Sequence, residues 1–191
     1  MYYSLKELQV AYESGAKLKF LFFWGHTSMK DGTISASCLS QWWESSFRVE
    51  GELYSCAEQY MMAEKARLFY DNEMLEAIMM AKHPKEMKSY GRAVKGFDAD
   101  IWESRCYDIV LQGNLAKFGQ NPELLNFIKA SKNRIFVEAS PVDRIWGIGL
   151  SKDHPHVNNP LFWQGKNLLG FALTEVRDRL NNEDLQGRVT S

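Results

Sequence analysis

Glu58 and Lys65 stand seven residues apart in Tyr54-Ser55-Cys56-Ala57-Glu58-Gln59-Tyr60-Met61-Met62-Ala63-Glu64-Lys65, which reads as the opening of a helix. Helical spacing puts both on one face, with Met62 between them and Phe69 a turn beyond. A carboxylate and an amine on such a mixed stripe suggest the wall of a cleft. Each also has a plainer reading. Ser55-x-x-Glu58 fits the capping box, in which Glu58 would only bind the Ser55 amide at the helix start, and a helix lysine is commonly solvated. The two readings of Glu58 are partly compatible, because the helix dipole favours a first-turn carboxylate as the anion. A catalytic Glu58 would then act ionised, as a base or a stabiliser of positive charge.

A second acid, Asp143, lies in Pro141-Val142-Asp143-Arg144-Ile145-Trp146-Gly147, a loop directly after an expected strand. Its plain alternative is a turn-forming aspartate, and function is the better reading if another acid faces it. Trp102 and Trp146 can be core or stacking residues, and Trp146, between a loop and two glycines, should have the fewer core neighbours. Gly165-Lys166-Asn167-Leu168-Leu169-Gly170 runs into a helix, so backbone amides and Lys166 could meet a phosphate, although Walker and Rossmann spacings are missing. Asp153-His154-Pro155-His156 offers two metal ligands with no third or fourth at a useful spacing, so no metal and no cofactor are expected. GxSxG, HExxH and Cys/His nucleophile patterns do not occur.

The elements that must position these groups follow from periodicity and punctuation. Ser4-Leu5-Lys6-Glu7 opens a short helix ending near Gly15, and Lys17 to Trp24 turns fully apolar and aromatic, as a half- to fully buried strand does. Residues 26–40 read as a long loop, and two short strands meet at Glu50-Gly51-Glu52 before the Glu58 helix. Further helices are expected from Asp71 to Met80, through Met87, from Asp98 or Asp100 through Phe118, behind an Asn121-Pro122 N-cap, and from Leu168 to Leu180. Asn133 to Ala139 has strand composition, residues 140–166 are irregular, and the tail from Asn181 is expected to fray. Without βαβ alternation the sum is α+β, a mainly helical single domain with a small β-sheet.

Composition narrows the partners. A chain of 191 residues with 45% hydrophobic and 25% charged residues has the make-up of a soluble globular protein, while a 13% aromatic share with six tryptophans is rich. The run Phe20 to Trp24 is far too short to span a bilayer, no signal-peptide pattern opens the chain, and a cytoplasmic location without membrane contact is expected. Cys38, Cys56 and Cys106 are odd in number and widely spaced, so reduced, buried thiols are expected. A net charge of −1 gives no footprint for nonspecific nucleic-acid binding.

Taken in order, Phe23-Trp24-Gly25, Ala57-Glu58 through Lys65-Ala66, Gly91-Arg92, Trp102, Lys117-Phe118, Asn121-Pro122-Glu123-Leu124, Val137-Glu138-Ala139-Ser140, Asp143-Arg144-Ile145-Trp146-Gly147-Ile148-Gly149 and Gly165-Lys166-Asn167-Leu168-Leu169-Gly170 resemble the YbiA-like, or NADAR, family. The resemblance covers about residues 18–180, leaving residues 1–17 as an extension and 181–191 as a polar tail. It implies an N-glycosidase acting on ribosylated pyrimidine intermediates of riboflavin biosynthesis or on ADP-ribosylated guanine, free or within nucleic acid. It further implies catalytic positions at Glu58, Asp143, Trp102 and Trp146, and substrate contacts at Lys65, Trp24, Gly25, Arg92, Lys166 and Asn167. Lys65 would bind phosphate or, with its pKa lowered by an apolar site, trap the opened ribose as an imine. The loop 26–40 and the first 17 residues have no clear family counterpart, and His154-Pro155-His156 lies in an expanded loop before the G-K-N motif, which leaves substrate choice open. The alternative is a noncatalytic module that binds ADP-ribose or a nucleotide and releases no base.

Overall fold

A computed structural model describes residues 2–189, with side chains through 182. In chain order the elements are α1 (Leu5–Glu13), β1 (Phe20–Phe23), β2 (Phe47–Val49), β3 (Glu52–Tyr54), α2 (Ala57–Leu68), α3 (Asn72–Met80), α4 (Pro84–Arg92), α5 (Ala99–Gln120), α6 (Pro122–Ala130), β4 (Ile135–Glu138) and α7 (Leu168–Val189), with 3-10 turns at Ala36–Leu39 and Pro160–Phe162. The class is α+β. The small sheet is two separate pairs, β1 with β4 and β2 with β3. The chain divides into two compact units, Met1–Ser40 with Glu123–Ser191, and Gln41–Pro122.

In the first unit, Ser4 Oγ accepts the Glu7 amide at 3.3 Å and starts α1, while the Glu7 carboxylate accepts the Tyr3 amide at 3.0 Å. β1 and β4 pair in parallel, from Phe20 opposite Ile135 to Phe23 opposite Glu138. Phe136 and Val137 are buried with Phe171, Leu173 and Val176 of α7, each side chain contributing about 1.5–3 kcal/mol of apolar burial. Residues 1–17 are not detached from this body: the Tyr3 hydroxyl donates to Asp178 Oδ2 at 3.0 Å and the Gln9 amide donates to the Pro160 carbonyl at 3.0 Å. α7 extends to Val189, past the expected helix end at Leu180, since no proline follows Leu180 and the first glycine is Gly187. Residues 190 and 191 of the expected tail lie outside the described residues.

In the second unit, β2 and β3 form an antiparallel hairpin whose turn places Glu50 and Gly51 at φ +50° and +86°. Gln120 at the end of α5 clasps this hairpin, accepting the Arg48 amide at 2.9 Å and donating to the Arg48 carbonyl at 2.7 Å. α2 packs on α3, α4 and α5. Gly91 of α4 lies against Met62 and Gly113 of α5 against the Tyr60 ring, and a methyl group at either would collide with that side chain. α4 runs to Arg92, past the expected stop at Met87, because Lys88, Ser89 and Tyr90 do not break a helix and Gly91 is held by its packing on Met62. Asp98 is the α5 cap, its Oδ1 accepting the Ile101 amide at 3.0 Å. Asn121 stands directly before α6, which opens on Pro122 as expected from Asn-Pro, and its side chain also closes α5, donating to the Lys117 carbonyl at 2.8 Å and to the Ser46 carbonyl at 3.1 Å. Among the described residues, no helix is long and apolar enough to cross a membrane.

Candidate active site

The ten candidate residues fall into two groups. Glu58, Lys65, Arg92 and Trp102 belong to Gln41–Pro122, and Trp24, Gly25, Asp143, Trp146, Lys166 and Asn167 to the other unit.

Glu58 is 3% exposed in the first turn of α2. The capping box expected for it does not form. Ser55 donates both its amide, at 2.8 Å, and its hydroxyl, at 3.0 Å, to Gln59 Oε1, and the N-cap itself is Cys56. Gln59 also donates Nε2 to the carbonyls of Ile78 and Met79 at 3.1 and 3.2 Å, so one buried amide closes the start of α2 and the end of α3. Glu58 donates its own amide to the Gln41 carbonyl at 2.9 Å, and the Gln41 side chain is bonded to Asn114 of α5 at 3.1 Å. This chain of contacts fixes the helix start that carries the carboxylate. Sequence reading missed Gln41, Gln59 and Asn114, because an isolated amide residue carries no spacing signal.

Lys65 is half-buried, and its Nζ lies 4.2 Å from the Phe97 ring centre and 5.5 Å from that of Trp102. Burial, and then the Arg92 charge, hold its pKa below the ordinary lysine value. Lys65 thus lies beside two aromatic faces with the Arg92 charge within electrostatic reach, an arrangement suited to an anionic ligand with a planar part. Phe97 was missed, yet a signal existed: Phe97 and Trp102 occupy the two hydrophobic-staple positions around the Asp98 cap.

Asp143 Oδ1 accepts the amides of Ile145 at 2.9 Å, Trp146 at 2.8 Å and Gly147 at 3.5 Å, while the Asp143 amide donates to Ser140 Oγ at 3.2 Å. The turn-forming reading of this aspartate therefore holds for Oδ1, and the turn fixes the backbone of Trp146. The D-x-x-W-G-x-G and G-K-N-x-L-G segments interlock. The amides of Lys166, Asn167, Leu168 and Leu169 donate to the carbonyls of Arg144, Gly147, Ile145 and Trp146 at 2.9 to 3.2 Å. A Cβ on Gly165 would strike the backbone of Gly147 and Arg144, which explains that glycine. These bonds overturn the idea of a phosphate on the α7 amides, since the donors it needs already have carbonyl partners.

Asn167 is fully buried at φ +53°, its side chain accepting the Glu138 amide at 3.0 Å and donating to Phe136 at 3.1 Å, so it joins α7 to β4. Trp24 is 63% exposed after β1, followed by Gly25 at φ +80°, and the Lys166 residue is exposed. His156 stacks on Phe162 at 4.3 Å and donates its amide to His154 Nδ1, and among the described residues no group of three or more His, Cys, Asp or Glu is arranged to hold a metal. All three cysteines are free thiols and buried.

The NADAR domain model matches residues 22–181. The chain belongs to the NADAR family. Among NADAR relatives, N-glycosidase R617 of Acanthamoeba polyphaga mimivirus is 42% identical over 166 residues, 84% of this chain and 95% of that protein. N-glycosidase YbiA of Escherichia coli is 29% identical over 133 residues, 70% of this chain and 74% of that protein. The NMR structure of E. coli YbiA superposes with a TM-score of 0.69 at 24% identity over 97% and 96% of the two chains, which establishes the fold. The maize chloroplastic riboflavin biosynthesis protein PYRR is 30% identical over 112 residues, 56% of this chain and 16% of the maize protein.

Proposed function

We propose that this NADAR chain is an N-glycosidase that hydrolyses the N-ribosyl bond of a ribosylated pyrimidine intermediate of riboflavin biosynthesis or of ADP-ribosylated guanine. Breaking this bond builds positive charge on the sugar and negative charge on the departing nitrogen, and water then adds to the anomeric carbon. The observation that carries the reading is Glu58, a carboxylate buried in the first turn of α2 whose expected capping duty is met by Gln59. Glu58 stabilises the sugar cation or orients the water. Asp143 keeps the Trp146 loop in place through Oδ1, and Oδ2 serves the leaving-group proton or the water. Trp102 and Trp146 stack the base, worth on the order of 1–3 kcal/mol per base. Lys65 and Arg92 take phosphate, with Trp24, Gly25 and Lys166 as further substrate contacts. Asn167 acts by holding the Lys166 segment on β4. The lowered pKa of Lys65 also supports an imine with the opened ribose.

The likeness to the maize protein favours the pyrimidine substrate, and the names of the viral and bacterial relatives favour the bond type. The test is to incubate the protein separately with a ribosylaminopyrimidine phosphate and with ADP-ribosylated guanosine and to follow base release. Release from one of them is expected. Tight binding of both with no release would replace this reading by the noncatalytic module. Borohydride added during turnover should leave an adduct on Lys65 if the imine forms, and no adduct would reduce Lys65 to an anion contact.

A further inference from the structure

A helix lysine commonly carries its charge out into water. Lys65 is half-buried instead, and its Nζ ends nearer to the Phe97 ring centre, at 4.2 Å, than to that of Trp102, at 5.5 Å. Phe97 stands in the linker between α4 and α5, so this contact depends on where the linker is held. All of these residues lie within Gln41–Pro122.

The linker is tied at several points. Asp71, buried at the turn between α2 and α3, serves two segments with its two oxygens: Oδ1 accepts the Met74 amide at 3.2 Å as the N-cap of α3, and Oδ2 accepts the Lys95 amide at 2.8 Å. The Asp71 amide donates to the Ala66 carbonyl at 2.9 Å, which anchors the carboxylate to the helix that carries Lys65. Gly96 then turns the chain at φ +68°, with the Phe69 carbonyl 3.8 Å from where a Cβ would stand, and Asp98 caps α5. Between these fixed points the Phe97 ring meets the Phe69 ring edge-on, with 5.4 Å between centres and 64° between planes. Phe97 is 47% exposed, so the contact with Lys65 is made where a ligand can reach the amine.

We propose that Asp71 and Phe97 are positioning residues for Lys65: Asp71 ties the α4–α5 linker to the end of α2, and the linker lays the Phe97 ring against the Lys65 amine, which keeps it beside Trp102. This placement serves the substrate contact proposed above for Lys65 and rests on that reading. Lysine has a flexible four-carbon stem, and ordering it before the substrate arrives removes that cost from binding. The negative face of the ring also favours the charged amine, against the burial and the Arg92 charge on α4 that lower the Lys65 pKa. The other charged groups on the packed elements are engaged elsewhere. Glu64 and Glu52 pair with Arg67, Glu73 of α3 pairs with Lys95, and Asp98 holds the Ile101 amide.

The NMR signals of the Lys65 Cε and Hε atoms, assigned by their loss in Lys65→Arg, report its place and its titration without any substrate. In the parent the Hε signals should be shifted upfield by the ring current and show contacts to the Phe97 ring. Phe97→Leu keeps apolar cover and removes the ring face, so the upfield shift should vanish and the titration midpoint should fall by a further ~0.5–1 pH unit. Phe97→Tyr should restore both. Asp71→Asn leaves one acceptor for two amides, and the upfield shift should shrink although Phe97 is still present. In Phe97→Leu the pH profile of base release should move to lower pH with the midpoint, whichever protonation state of Lys65 acts. Thermal melts check that each variant folds, and missing ring contacts in the parent overturn the proposal without any variant. It is equally overturned by unchanged Lys65 signals in Phe97→Leu or Asp71→Asn, or by a midpoint that rises in Phe97→Leu. These signals need no substrate, so their failure counts against the placement of Lys65, whereas a parent protein that releases no base counts against the proposed function.

Discussion

Glu58 and Asp143 both follow a strand and both sit in a turn of backbone that needs acceptors, yet the chain uses them differently. Asp143 gathers three backbone amides on Oδ1 and fixes the loop that carries Trp146. Glu58 lies in a helix start where Gln59 accepts the Ser55 amide in its place. One acid therefore has a structural task on a single oxygen, and the other is buried where local capping does not explain it. The difference teaches that a carboxylate is assigned by asking which donors the neighbouring residues leave to it, since both positions look equally like turn or cap residues in the sequence.

Substitutions at the two acids and their neighbours can break or sharpen this contrast. Asp143→Asn keeps an Oδ1 acceptor but loses the acid, so base release should fall by about 10²–10⁴-fold, the usual range for a general acid or base, while the melting curve stays close to the parent's. Wild-type turnover in this variant would leave Asp143 with its loop role only. Asp143→Ala removes the acceptor too, and denaturant titration should show a further loss of about 1–3 kcal/mol of stability. Gln59→Ala strips the cap from α2 and two carbonyl contacts from α3, for about 1–2 kcal/mol in the same titration. It also offers the Ser55 amide to Glu58, so base release per folded molecule should drop with it. Unchanged turnover would mean that Gln59 does not keep Glu58 out of the cap.

The smallest effect concerns Lys65. Its folded pKa is lowered, so between that value and the ordinary lysine pKa the unfolded chain binds more protons and stability rises with pH. The contribution is complete above the unfolded pKa and is lost as pH falls through the folded one. Lys65→Met should accordingly be more stable than the parent near neutral pH, with the gap closing in alkaline solution. Parallel melting-temperature series against pH that never converge would contradict the burial of this amine.

What was legible in the sequence was local. The Ser4 and Asp98 caps, the hairpin at Glu50-Gly51 and the strand around Phe136 were readable because each depends on a few adjacent residues. The ordered motifs also pointed to the NADAR family, whose domain model spans residues 22–181. What could not be read was who bonds whom at a distance. Asn121 was readable as the residue before the α6 start, but not as the one whose side chain also closes the helix before it. The G-K-N segment looked like a phosphate cradle, but its amides meet the Arg144 to Gly147 carbonyls twenty residues back. Lys65 could be paired with Trp102 only once α2 and α5 were packed together, since nothing in their sequence separation of 37 residues shows it.

The most direct measurement is single-turnover base release by Glu58→Gln beside the parent protein, at matched folded fraction judged by thermal melts. Removing the charge that stabilises the sugar cation should slow release by about 10³-fold or more with little change in melting temperature. Full activity in Glu58→Gln would contradict the account and reduce Glu58 to a buried helix residue.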